Sequence, residues 1–143
     1  TYIIPRLTVS TMRGLLYTSS MLSYNHRFHG HNSLRFVYKN GKTVRSQMVV
    51  LKYAVNPKRK NSRFAVVVSK KTMKSAIGRN RIRRRVYELL RKHLENIKEN
   101  SDVVLLVVSA EVRTMPASEL ERSVIEALTQ AQIYKTPVEA AIL

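Results

Sequence analysis

Ser69 to Lys92 reads SKKTMKSAIGRNRIRRRVYELLRK, and how this stretch folds decides how the rest of the chain can be arranged. It carries Lys70, Lys71, Lys74, Arg79, Arg81, Arg83, Arg84, Arg85, Arg91 and Lys92 against a single acid, Glu88. A run of like charge is ordinarily a solvated face or an unstructured tail. Here an apolar series, Ile82, Val86, Leu89, Leu90, Leu94 and Ile97, threads through it at the three- and four-residue spacing of an amphipathic helix. At about 100° per residue, Arg81, Arg84, Arg85, Glu88, Arg91 and Lys92 fall on the opposite side. The pattern predicts a cationic strip mounted on a folded element. Ser75 reads as the N-cap, which sets Arg79 and Asn80 near the first turn, where free backbone N–H groups also favour an anion such as phosphate.

Outward from that helix, the charge is uneven. The 143 residues carry a net charge of +17, and no Asp or Glu precedes Glu88. Such asymmetry points to a polyanionic partner, nucleic acid or an anionic membrane surface. The longest apolar run, Val103 to Val108, is too short to span a bilayer. With no cysteine, disulfides, thiol catalysis and Cys-type zinc sites are excluded, which fits a reducing cytosol. A hydrophobic fraction of 44% is enough for one domain with a core.

Residues 1–23 read as a disordered N-terminal extension, with Met21 a natural start just before the folded part, residues 24–134 as the domain, and residues 135–143 as a C-terminal tail. Asn32 or Ser33 can cap a short helix carrying Leu34, Val37 and Tyr38, which Gly41 ends. His26, His29 and His31 invite a metal, but no Cys or acid stands near them, so they read as loop residues. Thr43 to Val55 alternates as one strand, with Met48, Val50, Lys52 and Ala54 on one face and Val49, Leu51, Tyr53 and Val55 on the other. Asn56 to Asn61, NPKRKN, reads as a basic loop, and Arg63 to Ser69 as a second strand joined to the first as a hairpin. The basic helix should fray near Asn100. Asp102 to Ser109 reads as a strand buried on both faces, and Ser118 to Glu121 as a capping box opening a last helix along Leu120, Val124, Leu128 and Ala131. The order gives an α+β sandwich with a small sheet of about four strands.

No complete protein active site is expected. There is no acid in the first 87 residues, no P-loop and no GxGxxG, and His93 falls on the apolar side of the basic helix, where a core histidine is the plainer reading. RNA binding is better supported: Arg on a helix beside a sheet with Lys52 and Tyr53, and Tyr38 on the short helix, offers phosphate contacts and platforms for unpaired bases. A helix-turn-helix is disfavoured because the strand RFAVVVS, not a helix, precedes the basic helix.

In combination, LRFVYKNG, MVVLKY, RFAVVVSKK, GRNRIRRRVYELLR and DVVLLVV, spread between about Arg27 and Tyr134, resemble the protein component of bacterial ribonuclease P. The resemblance implies a fold like the second domain of ribosomal protein S5, with a left-handed crossover between parallel strands. It also implies an accessory subunit of a ribonucleoprotein endoribonuclease: a monomer joining one catalytic RNA in the cytoplasm, to cut the 5′ leader from precursor tRNA with Mg2+ held by RNA. Carried over by position, Arg79, Asn80, Arg81, Arg84 and Arg85, with Lys70 and Lys71, would face the RNA. Leu34, Tyr38, Val50, Lys52 and Ser69 would line the leader cleft. Leu34 stands where the family often has an aromatic, so Tyr38 is the better stacking platform. The rival reading is a non-catalytic RNA-binding protein such as a ribosomal component.

Overall fold

The computed structural model describes residues 22–29 and 31–135. Helix α1 spans His31–Asn40, strands β1 to β3 span Lys42–Arg45, Val49–Val55 and Arg63–Val68, α2 spans Ala76–Lys92, β4 spans Ser101–Val107, and α3 spans Ala117–Gln130. The readings of residues 1–23 as an extension and of residues 135–143 as a tail lie outside the described residues, except at 22, 23 and 135. Leu22, placed in the extension by sequence, is buried in the core.

The four strands form one mixed sheet in the order β1-β2-β4-β3. β4 pairs antiparallel with β2 and parallel with β3, so α2 is the crossover between two parallel neighbours. Every residue of β4 is buried, as expected of an apolar run inside a sheet. Leu34 and Val37 of α1 pack on one face against Val50, Ala65, Val67, Val104 and Leu106. The other face, Val49, Leu51, Phe64, Val66, Val103 and Leu105, receives Ile82, Val86 and Leu90 of α2 and Leu120, Val124 and Leu128 of α3. This is the α+β architecture expected.

Three local expectations need correction. The single strand Thr43–Val55 is a hairpin, β1 and β2, folded where the polar pair Ser46 and Gln47 interrupts the apolar alternation. Ser46 holds the turn, its N–H donating to the Val49 carbonyl at 2.9 Å. Met48 therefore belongs to the turn and packs on the α2 and α3 side, while Val50 and Ala54 keep the α1 side. The hairpin between β2 and β3 does not form, because β4 lies between them. The apolar β4 is worth most where both its edges are paired and both faces covered. The basic loop instead crosses the end of β4, anchored by the Asn56 N–H on the Asn100 carbonyl at 2.8 Å.

Helix ends obey local chemistry in part. Ser75 is the N-cap of α2, its hydroxyl accepting from the Gly78 N–H at 3.2 Å. Gly41 closes α1, its N–H reaching the Val37 carbonyl at 2.8 Å, and a Cβ there would lie 2.9 Å from the Tyr53 carbonyl. The capping box at Ser118 is absent: α3 starts after Pro116, whose carbonyl takes the N–H groups of Glu119 and Leu120, and the Glu121 carboxylate is engaged by His93. α1 begins at His31, which puts Asn32 and Ser33 inside its first turn. α2 ends at Lys92, eight residues short of Asn100, and the chain continues as a 3-10 turn, Leu94–Asn96.

Tyr87 locks α2 to the sheet. It is 1% exposed, and its hydroxyl accepts from the Val66 N–H at 3.0 Å, satisfying a donor on the outer edge of β3. Burial pushes its phenol above the ordinary tyrosine range. Tyr87→Phe leaves that buried N–H without its acceptor, and should lower unfolding stability by about 1–3 kcal/mol in urea titration, with faster amide exchange at Val66. Unchanged stability and exchange would show that the hydroxyl is dispensable.

Candidate nucleic-acid interface

The packing of α2 divides its basic side chains into two groups. Ile82, Val86, Tyr87 and Leu90 are buried, and Arg81, Arg84, Arg91 and Lys92 are exposed on the outer side. Arg91 is paired with Glu88 at 2.7 Å, an exposed contact of small energetic weight. Arg81 and Arg84 therefore form the ridge most available to an anion, about one turn apart on the same side of the helix.

Arg85, expected on that ridge, is turned elsewhere. Its guanidinium donates to the carbonyl oxygens of Val112, at 2.7 Å, and Met115, at 2.5 Å, clamping α2 to the turn before α3. A 100° periodicity cannot see this, because the acceptors lie 27 and 30 residues away. Arg79 is likewise committed, donating to the carbonyls of Met73, at 3.0 Å, and Lys74, at 2.7 Å, which ties the entry loop to the first turn of α2. Asn80 is exposed and accepts from Arg83. Burial and the nearby Arg79 lower the pKa of Arg83 from the usual guanidinium value, partly opposed by Tyr87. Hence the Arg79–Asn80–Arg81 triplet is one structural arginine, one polar residue and one exposed arginine.

Lys70 and Lys71 project from a tight turn after β3. Ser69 builds that turn, its hydroxyl accepting from the Thr72 N–H at 3.2 Å and lying 3.1 Å from the Thr72 hydroxyl. Two exposed ammonium groups are thus held beside the N-terminal end of α2.

The expected cleft on the α1 face is assembled only in part. Leu34 and Val50 are 0% and 2% exposed and form the core under α1, so their side chains are closed to a ligand. The reason is the contact of α1 with the sheet: what reads as a cleft wall is the interior of the α1 layer. Tyr38 and Lys52 remain half-buried and adjacent, with the Lys52 ammonium 2.6 Å from the Tyr38 carbonyl and 4.9 Å from its ring centroid. Burial, then Arg45, lowers the Lys52 pKa from the usual lysine value. Register places Ser69 beyond the far end of β3, on the order of 15 Å from Lys52 by strand spacing and rise.

His93 and His26 are occupied structurally. The His93 Nε2–H donates to Glu121 at 2.6 Å and its Nδ1 lies 3.2 Å from the Tyr134 hydroxyl, so the ring joins α2, α3 and the C-terminal segment. That hydrogen bond is the chief cause holding the Glu121 carboxyl below its ordinary range. The His26 Nδ1–H donates to the Ser62 carbonyl at 2.8 Å. Among the described residues no group of three His, Asp or Glu side chains could hold a metal ion. Also among them, no helix is long and apolar enough to cross a membrane. Sequence reasoning missed Phe36, 60% exposed on α1, and Val55, 53% exposed at the end of β2. The signal available was Phe36 itself, an aromatic out of phase with Leu34 and Val37.

A family model for ribonuclease P matches residues 22–132. The ribonuclease P protein component of Desulfosudis oleivorans is 38% identical over 90 residues, covering 63% of this chain and 72% of that one. That of Chloroflexus aggregans is 32% identical over 103 residues, covering 72% of this chain and 75% of its own length. Among solved structures, the RNase P protein of Staphylococcus aureus superposes with a TM-score of 0.67 at 23% identity, over 77% of this chain and 98% of that one. The RNase P protein of Thermotoga maritima gives 0.65 at 22% identity, over 73% and 96%. With a family match across nearly the whole described region and the same fold in both solved proteins, the chain belongs to the ribonuclease P protein family, the protein subunit of a ribonucleoprotein endoribonuclease.

Proposed function

We propose that Arg81 and Arg84, with Lys70 and Lys71, are the groups by which this subunit grips its catalytic RNA, and that Tyr38 and Lys52 meet the 5′ leader of precursor tRNA. Arg79 and Arg85 serve that surface indirectly by fixing the loop and the helix that carry it. The observation behind this reading is the exposure of Arg81 and Arg84 on a helix whose opposite side is core, in a chain of this family. Two RNAs brought together repel one another, and a cationic protein between them replaces part of the counterion atmosphere otherwise needed. The subunit acts as a monomer with one RNA, in the cytoplasm.

Mg2+ belongs to the RNA and the substrate in this reading. A hard cation takes several carboxylate and other oxygen ligands, and among the described residues no group of three His, Asp or Glu side chains could supply them, while the buried Asp102 is bound by Arg63 through both oxygens.

Two experiments test the assignment. Added to a bacterial ribonuclease P RNA and precursor tRNA, the protein should restore leader removal at magnesium concentrations where the RNA alone is slow; RNA binding without stimulation would favour a ribosomal-type role. Arg81→Ala with Arg84→Ala should weaken RNA binding and reduce the slope of log K against log salt by about 2, near 0.9 for each phosphate contact. Arg85→Ala should leave that slope intact and lower unfolding stability instead, by about 1–3 kcal/mol for the carbonyls it abandons. Equal salt slopes in the double variant and the parent would remove Arg81 and Arg84 from the interface.

A further inference from the structure

Along the outer flank of α1 runs a groove that the Tyr38 and Lys52 surface does not include. Phe36 lies about 200° around the helix from Tyr38, two residues away at about 100° each, so the two aromatics serve opposite flanks. Two adjoining depressions of about 440 and 370 Å³ share Phe36, Ala54 and Val55 as their common floor. Phe36 is 60% and Val55 53% exposed, an adjoining apolar pair that the fold gains nothing by leaving in water.

The ends of the groove are cationic. One opens at Arg59, whose neighbours Lys58 and Lys60 are also exposed, and the other at Lys42. The one carboxylate in its lining, Asp102, is 5% exposed and held by Arg63 through both oxygens at 2.9 and 2.7 Å; the Arg59 Nε lies 3.9 Å from it, a looser contact that leaves the Arg59 guanidinium exposed. Asn32 and Asn40 on α1 supply amide groups along its wall. An aromatic face between a basic loop at one end and the Lys42 ammonium at the other, with polar amides between, matches the alternation of base and phosphate in an unpaired strand. A protein partner docking an apolar groove would not call for cations at both ends, and a second copy of this chain would bring its own positive charge to the same place.

We infer that this groove is a second single-stranded RNA site, in which a base stacks on Phe36 while flanking phosphates lie on Arg59 and Lys42. The inference deepens the reading of the chain as a ribonuclease P subunit and rests on it. The strand can come from the leader of the precursor or from an unpaired segment of the catalytic RNA, since both present the same chemistry.

The chain contains no tryptophan, so Phe36→Trp installs a sole indole reporter at the floor of the groove. In the full-length protein, leader-bearing precursor tRNA, leaderless tRNA and the catalytic RNA alone are titrated separately, with fluorescence anisotropy of labelled RNA measuring binding independently. Saturable quenching of the indole emission is expected; quenching that requires the leader assigns the strand to the precursor, and quenching by catalytic RNA alone assigns it to that RNA. Phe36→Ala should weaken binding of the same RNA about 5-fold to about 100-fold, as loss of one stacked base does. Phe36→Leu should lose nearly as much, and Phe36→Tyr should restore it, a pattern that general apolar docking would not give. Binding by anisotropy with no quenching by any RNA overturns the groove while leaving the ribonuclease P reading intact. So does an emission shift that tracks protein concentration without RNA, the mark of a second copy. Failure of the unmodified protein to stimulate leader removal would instead count against the ribonuclease P reading, whatever the indole reports.

Discussion

The sandwiching of β4 between β2 and β3 is the constraint on which the rest of the molecule depends. The chain carries 26 Lys and Arg side chains against 9 acids, and their mutual repulsion opposes any compact state. What offsets it is apolar burial, concentrated where β4 is covered on both faces and paired on both edges. α1 and α2 can present cations outward because their inner sides grip that sheet. Only one acid lies in the sheet, Asp102, and it is paired across strands with Arg63 in register, while the Arg63 guanidinium also rests on the Phe28 ring, 4.7 Å from its centroid. A buried ion pair of this kind adds little net stability over an apolar pair, but it disfavours any register that would leave either charge alone.

The basic residues thus serve two ends. Arg63, Arg79 and Arg85 spend their donors on this protein's own carboxylate and carbonyl groups, and each closes a junction: β3 to β4, entry loop to α2, α2 to the turn before α3. Arg81, Arg84, Lys70 and Lys71 stand exposed to solvent instead. Guanidinium suits the first role because its planar fork satisfies two acceptors at once. The net positive charge of the chain therefore overstates the charge offered to a partner.

What was legible in the sequence follows the range of the interactions involved. The amphipathic helix with its Ser75 cap, the doubly buried β4 and the Gly41 stop were readable because each is specified within a few residues. The reversal at Ser46 was obscured by the β-favouring residues on both sides of it. The pairing order was hidden for a different reason: nothing local in RFAVVV or VVLKYAV says that a strand from far along the chain will come between them. At the candidate site, Arg81 and Arg84 could be placed by periodicity, but Arg85 could not be separated from them, since its acceptors belong to another element. Leu34 and Val50 were assigned to a cleft by position in a family pattern, and their near-zero exposure shows that position carried less information than the alternation they obey.

The two faces of the sheet also separate the electrostatics. α2 and α3 cover one face and α1 the other, so the α2 ridge and the α1 flanks are about 20 Å apart, two packing layers of about 10 Å. At physiological ionic strength the screening length is about 8 Å. Charges exposed on one face therefore act on whatever RNA touches that face and scarcely on the other. Independence of this sort suits a subunit that must hold one RNA persistently and release another each cycle, because the strength of one contact can be set without altering the other. The exceptions are the segments at the ends of the sheet, where the two faces meet: the Ser69 to Thr72 turn with Lys70 and Lys71 at one end, and the loop with Lys58, Arg59 and Lys60 at the other.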